Sequence, residues 1–377
     1  MAKIASLILG VGFGDSGKGI TTDYLCSQKK GGSSIVVRFS GGQQAGHNVV
    51  IGDISHVHSS FGSGTLRGVP SYFSEHCTIS PINMMIEQEV LSDKGIEPKL
   101  YIHPLAMITT PADIAYNRIM DKKNGHGTCG LGVGATMDRN LNTGYKLYAI
   151  DLLHPEFLNI KLNNIYAYYR NKLNGNAEYT KIYNNQVKFF DEALKTLRFN
   201  IQPYDLLNHH TNIIFEGSQG ILLDMDHGIF PNVTYGNTTS KNALEICKKI
   251  GITEENTYIY YVTRCYQTRH GIGWMSNNDK VKLINTEHEI NVFNEWQKDF
   301  KIGEIDYDLI NHAIRIDNLY SPDIHKSLVV TCLDQRPDFE FDYKKIRGVQ
   351  GFYESYSPDA IGIKNMSFNR FSEIFHE

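Results

Sequence analysis

The chain has 377 residues, of which 41% are hydrophobic and 21% charged, with a formal net charge of −4. That length can bury a large core, and the composition is that of an ordinary globular protein. A charge this close to neutral gives no bulk reason to expect nucleic-acid or membrane partners, and no stretch approaches the length of a membrane span.

The first apolar run, Ile4 to Leu9, reads as a buried strand and leads straight into Gly12-Phe13-Gly14-Asp15-Ser16-Gly17-Lys18-Gly19. No separate cleavage region lies between them, which speaks against a signal peptide. Glycines let the backbone turn tightly and aim N–H groups at a phosphate, while Lys18 supplies a positive charge. The spacing is that of a phosphate loop, except that Gly19 stands where a magnesium-binding Ser or Thr is expected. Asp15 sits inside the loop, where its charge repels a phosphate unless a metal or a chemical role explains it. The plainer alternative is a turn residue capping the following helix.

A second strand, Ile35 to Val37, ends in Arg38-Phe39-Ser40-Gly41-Gly42, and His47 follows shortly after. Ser80-Pro81 forms an N-cap and first-turn pair for a helix with Ile82, Met85, Ile86 and Val90 on one face and Gly95 as its stop. Thr110-Pro111, with Asp113 in the first turn, starts another helix. Gly127 to Gly134 is a second glycine-dense loop, suited to close backbone approach to a ligand.

From about 155 to 208 the chain is rich in Tyr, Asn and Lys, and reads as a mainly helical insertion. Phe189, Phe190, Leu194 and Leu197 at helical spacing read as packing rather than as a ligand site. The strand Ile213 to Phe215 then runs into Glu216-Gly217-Ser218-Gln219-Gly220, and Asp224, Asp226 and His227 follow closely. Those three suggest a metal site only weakly, because no further ligand set stands out.

Two more apolar runs, Tyr258 to Val262 and Leu328 to Val330, end in Thr263-Arg264 and in Thr331-Cys332-Leu333-Asp334. Five strands, each followed at once by polar or glycine-rich residues, predict a mostly parallel sheet whose loops converge on one crevice beyond the strands' carboxyl ends. The absence of a repeat or a Pro/Ser-rich linker favours one continuous domain over 1–377. Six scattered cysteines without a CxxC pair fit reduced thiols in a cytoplasmic-type compartment.

The segments GFGDSGKG, VVRFSGGQQAGH, GTCGLGVG, FEGSQGILLDMDHGIFPNVTYGNTT, TRCYQTRHGIG, TCLD and SYSPD together resemble the adenylosuccinate synthetase family along nearly the whole chain. FEGSQG is the most specific of them. The resemblance implies an α/β fold with a large central, mostly parallel sheet flanked by helices, usually as a homodimer in the cytoplasm. It implies a ligase that joins the amino group of aspartate to C6 of inosine monophosphate, using GTP and Mg2+. By that resemblance Asp15 takes the N1 proton of the purine and binds the metal with the Gly46 carbonyl, His47 acts as an acid towards the transferring phosphoryl group, and Lys18 steadies the phosphates. Gly14, Ser16, Gly17 and Gly19 line the phosphates. Gln44, Thr128, Cys129, Gln219 and Thr234 match positions that hold the monophosphate. Asp334 reads the base of the donor, with Ser355, Ser357 and Pro358 lining its pocket.

The chain departs from the family pattern at several of these positions. Ser16 replaces a glutamate, Gln44 an asparagine, Cys129 a threonine, Cys332 a lysine and Ser357 a glycine, so ATP or dATP also becomes a candidate donor. The family's arginine-rich, aspartate-binding loop corresponds to 294–303, which holds no arginine. Lys298 and Lys301 remain there as point charges for a carboxylate, without the planar fork of a guanidinium. A phage-encoded branch of the family acts on dGMP and usually carries serine in place of the loop aspartate. Here Asp15 is kept, which tips the reading towards inosine monophosphate, while the small Ser16 beside it is a signal for GMP or dGMP. A nucleotide-binding regulator without catalysis is the alternative from another class. A signalling GTPase is disfavoured by Gly19 and by the lack of an Asn-Lys-x-Asp signature.

Overall fold

The computed structural model describes residues 2–28, 33–124, 129–271, 273–277, 281–284 and 300–366. In chain order the strands are β1 (Ile4–Gly10), β2 (Ser34–Arg38), β3 (His47–Ile51), β4 (Ile54–His58), β5 (Ser71–Phe73), β6 (Thr78–Ile79), β7 (Leu100–Ile102) and β8 (Met107–Ile108). They continue as β9 (Asn200–Ile201), β10 (Asn212–Gly220), β11 (Thr257–Arg264), β12 (Gln267–His270), β13 (Phe300–Gly303), β14 (His325–Thr331), β15 (Gly351–Ser355) and β16 (Ile363–Asn365). The helices are α1 (Lys18–Ser27), α2 (Pro81–Asp93), α3 (Pro111–Asn124), α4 (Val133–Asn142), α5 (Pro155–Lys172), α6 (Ala177–Thr196), α7 (Lys241–Lys249) and α8 (Tyr307–Asp317).

Ten strands form one sheet in the order β16-β15-β14-β11-β1-β10-β2-β5-β7-β9. Every neighbouring pair is parallel except β15 with β16. The five strands read from the sequence are the contiguous centre of this sheet, β14-β11-β1-β10-β2. They lie buried on both faces, so their apolar runs are nearly continuous. Leu7, Leu9, Ile35, Phe215, Ile259 and Leu328 face one side with Ile246 of α7 and Ile314 of α8. Ile8, Val36, Ile214, Val262 and Val329 face the other with Cys26 of α1. A second large core joins α2, α3, α5 and α6 through Leu91, Ala115, Ile165 and Phe190.

Ser80 caps α2 as expected, its hydroxyl accepting from Asn83 N, and Gly95 sits just beyond the helix end with φ +75°. Of the expected buried face, Ile82 and Met85 are buried, but Ile86 and Val90 are corrected to exposed, and Met84, Glu87 and Leu91 are buried instead. Glu87 turns the helix inward because its carboxylate holds the backbone N–H groups of Ser59 and Ser60. In α6, Phe190 packs into the core but Phe189 points outward. The candidate grouping of Asp224, Asp226 and His227 is a loop clamp: Asp224 accepts from the N–H groups of Asp226, His227 and Thr238, and His227 pairs with the Tyr320 hydroxyl at 2.7 Å.

Candidate active site

The β1–α1 loop forms the floor of the site. Helix α1 begins at Lys18 with Gly17 as its N-cap, left-handed at φ +94°, and no side chain caps it. Asp15 therefore does not serve as the cap. A Cβ on Gly17 would lie 2.6 Å from the Thr331 methyl, so the loop can dock against the end of β14 only without a side chain there. The Thr331 hydroxyl fixes that docking by donating to the Ser16 carbonyl at 2.8 Å.

Asp15 has φ +46°, a conformation costly for a residue with a side chain. Its carboxylate lies 3.2 Å from His270 Nε2 at the end of β12, and the Arg264 guanidinium donates to its carbonyl. Burial pushes the Asp15 carboxyl up, but His270, Arg264 and Lys18 outweigh it and hold it below the ordinary value. Lys18 is almost fully buried, and burial lowers its ammonium to about 8 despite the nearby Asp15 and Glu216 carboxylates.

His47 opens β3, directly beside this loop. Its Nδ1 donates to Glu216 Oε1 at 2.6 Å, and its Nε2 lies 3.3 Å from the Ser218 carbonyl oxygen. Burial lowers the basicity of His47, with Glu216 opposing. Burial pushes the Glu216 carboxyl up, yet the charge and hydrogen bond of His47, the charge of Arg38 and the hydrogen bond from Ser63 outweigh it and bring it down to about 2. Ser63 supplies its backbone N–H at 3.0 Å and its hydroxyl.

Asp15, Ser16, Gly17, Lys18, Gly19, Gly46 and His47 line one cleft with about 1040 Å³ of empty space. Arg264, Cys332, Asp334, Ser355, Ser357 and Pro358 line the same cleft. Asp334 accepts from Gln335 Nε2 at 3.1 Å, and the Ser357 hydroxyl donates to Asp359 at 2.8 Å. Gly14 lines a smaller adjoining hollow with Ser16, Arg264 and Thr268.

The remaining expected contacts form a neighbouring wall rather than part of that cleft. Gln43 Nε2 donates to the Leu131 carbonyl at 3.0 Å, tying the Gln44 loop to the Cys129 loop. Ser40 and Ser218 hydroxyls meet at 3.0 Å, which brings Gln219 alongside. Tyr235, next to Thr234, packs over Gly134 of α4. Ser16 Oγ, Gln44 Oε1 and Gln219 Oε1 are all buried without a hydrogen-bond partner, as expected of atoms that a ligand satisfies. Lys301 does not line the cleft, because its ammonium donates to the Gly273 carbonyl at 2.8 Å. Thr128 and Lys298 lie outside the described residues.

A model of the adenylosuccinate synthetase family matches residues 7–340. The chain belongs to the adenylosuccinate synthetase family. The Clostridium beijerinckii adenylosuccinate synthetase is 30% identical over 361 residues, 88% of this chain and 78% of that protein. The Borrelia duttonii one is 28% identical, over 95% and 88%. The fully ligated Plasmodium falciparum adenylosuccinate synthetase has the same fold, with a TM-score of 0.67 at 18% identity, over 97% of this chain and 87% of that one. So does the succinoaminodeoxyadenylate synthetase of cyanophage S-2L, bound to dGMP and to dATP as energy donor, at 0.65 and 15%, over 100% and 99%.

As a member of the adenylosuccinate synthetase family this chain is an enzyme, a carbon–nitrogen ligase of purine biosynthesis driven by a nucleoside triphosphate. The family reaction phosphorylates O6 of inosine monophosphate and replaces it with the amino group of aspartate. Among the described residues no helix is long and apolar enough to cross a membrane. The sequence reading gave no role to Arg264, Arg269, His270 or Glu216. Their signal was present, since each is a charged or basic side chain at or next to the end of a strand. What was missing was the strand order that tells which loops they meet.

Proposed function

We propose that the chain converts inosine monophosphate and aspartate to adenylosuccinate, with Asp15, Lys18 and His47 as the reacting constellation and GTP as donor. The observation that carries this reading is the presence of all three side chains, together with Asp334, along one cleft.

Asp15 accepts the N1 proton of the purine as O6 attacks the γ-phosphoryl group. A carboxylate held below its ordinary value is a weak base, so proton removal is coupled to P–O bond formation rather than preceding it. His47 acts in its protonated form: Glu216 holds the Nδ1–H, and the second proton, on Nε2, is donated to the phosphoryl oxygens as charge moves onto the departing diphosphate. Lys18 and the N–H groups at the start of α1 hold the phosphate chain. The amine of aspartate then adds at C6, and phosphate leaves.

Asp15 and Gly46 both line the cleft, and a carboxylate and a carbonyl oxygen completed by phosphates and water would suit Mg2+, which would supply charge neutralisation there. Gln44, Thr128, Cys129, Gln219 and Thr234 hold the monophosphate, in keeping with the unpartnered Gln44 and Gln219 oxygens. Asp334, with its acceptor oxygens, favours the paired N–H donors of guanine over the mixed edge of adenine. Arg264, which lines the cleft, takes a carboxylate of the amino acid, with Lys298 as a second cation; Lys301 is held away by the Gly273 carbonyl.

We assign the chain to the cytoplasm, and to a homodimer. Leu153, Phe157 and Ile160 form an exposed apolar stripe at the start of α5, which a second copy covers.

Phosphate release measured with each monophosphate, amino acid and triphosphate in turn tests the reading. Turnover requires inosine monophosphate, aspartate and GTP together, and Asp15→Asn abolishes it. Release that ignores the amino acid overturns it. Ser16 favours a second reading, the same chemistry on dGMP, because its buried hydroxyl beside Asp15 has no partner and could meet a purine 2-amino group. Release with dGMP but not inosine monophosphate would establish that one.

A further inference from the structure

Behind the site, the β3–β4 hairpin pairs His47 directly with His58. His56 and His58 sit two residues apart on β4 and so project from the same face. Glu87 of α2 faces both. All three are buried, with His58 at 0% exposure. Their ligand atoms lie within 4.8 Å of one another.

The spacings are unusual for a hydrogen-bonded cluster. Glu87 Oε1 is 3.4 Å from His56 Nε2 and 3.7 Å from His58 Nδ1, beyond the roughly 2.7–3.2 Å of an ordinary N–H···O bond. Neither ring nitrogen of His58 has a hydrogen-bond partner, although the ring is wholly buried. The other oxygen of Glu87 is occupied: Oε2 accepts from Ser59 N at 3.1 Å, Ser59 Oγ at 2.9 Å and Ser60 N at 2.6 Å. Oε1 has only longer contacts, from Ser59 N at 3.3 Å and with His56 Nε2 at 3.4 Å. Two imidazoles and a carboxylate oxygen around a tetrahedral ion at about 2.0–2.2 Å stand about 3.3–3.5 Å apart. The two N···O separations, 3.4 and 3.7 Å, are close to that edge length, and the two imidazoles bring ligand atoms within 4.8 Å of each other.

We propose that His56, His58 and Glu87 form a structural site for a zinc-class divalent transition metal, bound through His56 Nε2, His58 Nδ1 and Glu87 Oε1. Such an ion clips the β3–β4 hairpin to α2. The loop it steadies, Ser59 to Ser63, ends on the Ser63 that donates to Glu216 behind His47. Nitrogen ligands select against Mg2+, so the site is distinct from the oxygen-lined cleft.

Lys94 Nζ lies 3.2 Å from His56 Nδ1 and donates to the Ser55 carbonyl at 2.7 Å. Metal at Nε2 requires the neutral ring to carry its proton on Nδ1, so the exposed Lys94 gives up that contact and keeps Ser55. The other candidate grouping among the described residues, Glu75, His76 and Glu245, is weaker because Lys249 already lies 2.6 Å from Glu75.

The test is to strip the full-length protein with chelator and titrate it with Zn2+ and with Co2+ in excess Mg2+. One equivalent is expected to bind, with a visible tetrahedral Co2+ spectrum and a raised melting temperature. His56→Val, which suits a strand, is expected to weaken Zn2+ binding by roughly 100-fold or more and to remove the Co2+ spectrum. Wild-type protein that takes up no equivalent, or a variant that binds as wild type does, overturns the site. Because the Co2+ spectrum is read on wild-type protein, a poorly folding variant does not decide the matter. The ligase reading is untouched by either result.

Discussion

His47 Nδ1 and Glu216 Oε1 lie 2.6 Å apart although 169 residues separate them in the chain. The carboxylate is wholly buried and accepts from Ser63 as well, so it can only be ionised, and it fixes the imidazole with its proton on Nδ1. Glu216→Gln keeps the volume but removes this orientation. Turnover is expected to fall by roughly 10²–10⁴-fold, with little change in KM for the monophosphate, in steady-state assays of phosphate release.

The same pairing sets an acid limit. Glu216 is held at about 2 against an ordinary 4.5, so its stabilising contribution is fully present above pH 4.5 and is lost as the pH falls from there towards 2. Urea unfolding midpoints across that window are expected to fall more steeply in wild type than in Glu216→Gln.

Lys18 titrates at about 8 before phosphate arrives. Triphosphate affinity is therefore expected to weaken as the pH rises above 8, because the free enzyme loses the charge that the complex requires. Lys18→Arg keeps its charge and flattens that profile in equilibrium binding measurements. In the free protein the sign is opposite. The unfolded chain holds this proton up to 10.5, so losing it in the folded state relieves a burial cost between pH 8 and 10.5.

Gly17→Ala tests the loop's fit against β14. The left-handed backbone and the 2.6 Å approach to Thr331 both oppose a methyl group. A loss of about 1–3 kcal/mol in unfolding free energy is expected, together with weaker triphosphate binding. Unchanged stability would mean that the loop shifts freely on Thr331.

Arg269 shows how far the sequence could be read at the site. As part of TRCYQTRHGIG it carried family resemblance, but nothing in that string says that its guanidinium stacks 4.2 Å from the Phe13 ring or that burial lowers it to about 10. Likewise Asp15 was legible as an anomalous acid in a phosphate loop, while its partner His270 was not. On helix α2 the apolar positions alone gave Ile82 and Met85 correctly but misplaced Ile86 and Val90, because the buried carboxylate of Glu87 serves another loop.

The sequence by itself determined the five central strands and the phosphate loop, since each depends on local backbone freedom and on a short apolar run. Tertiary structure decided which strand ends meet. Placing β10 between β1 and β2 brings Glu216 to His47, and folding β12 back over the loop brings His270 to Asp15. Strand order is a long-range choice among chemically similar apolar runs, so a residue's electrostatic partner cannot be read from its neighbours in the chain.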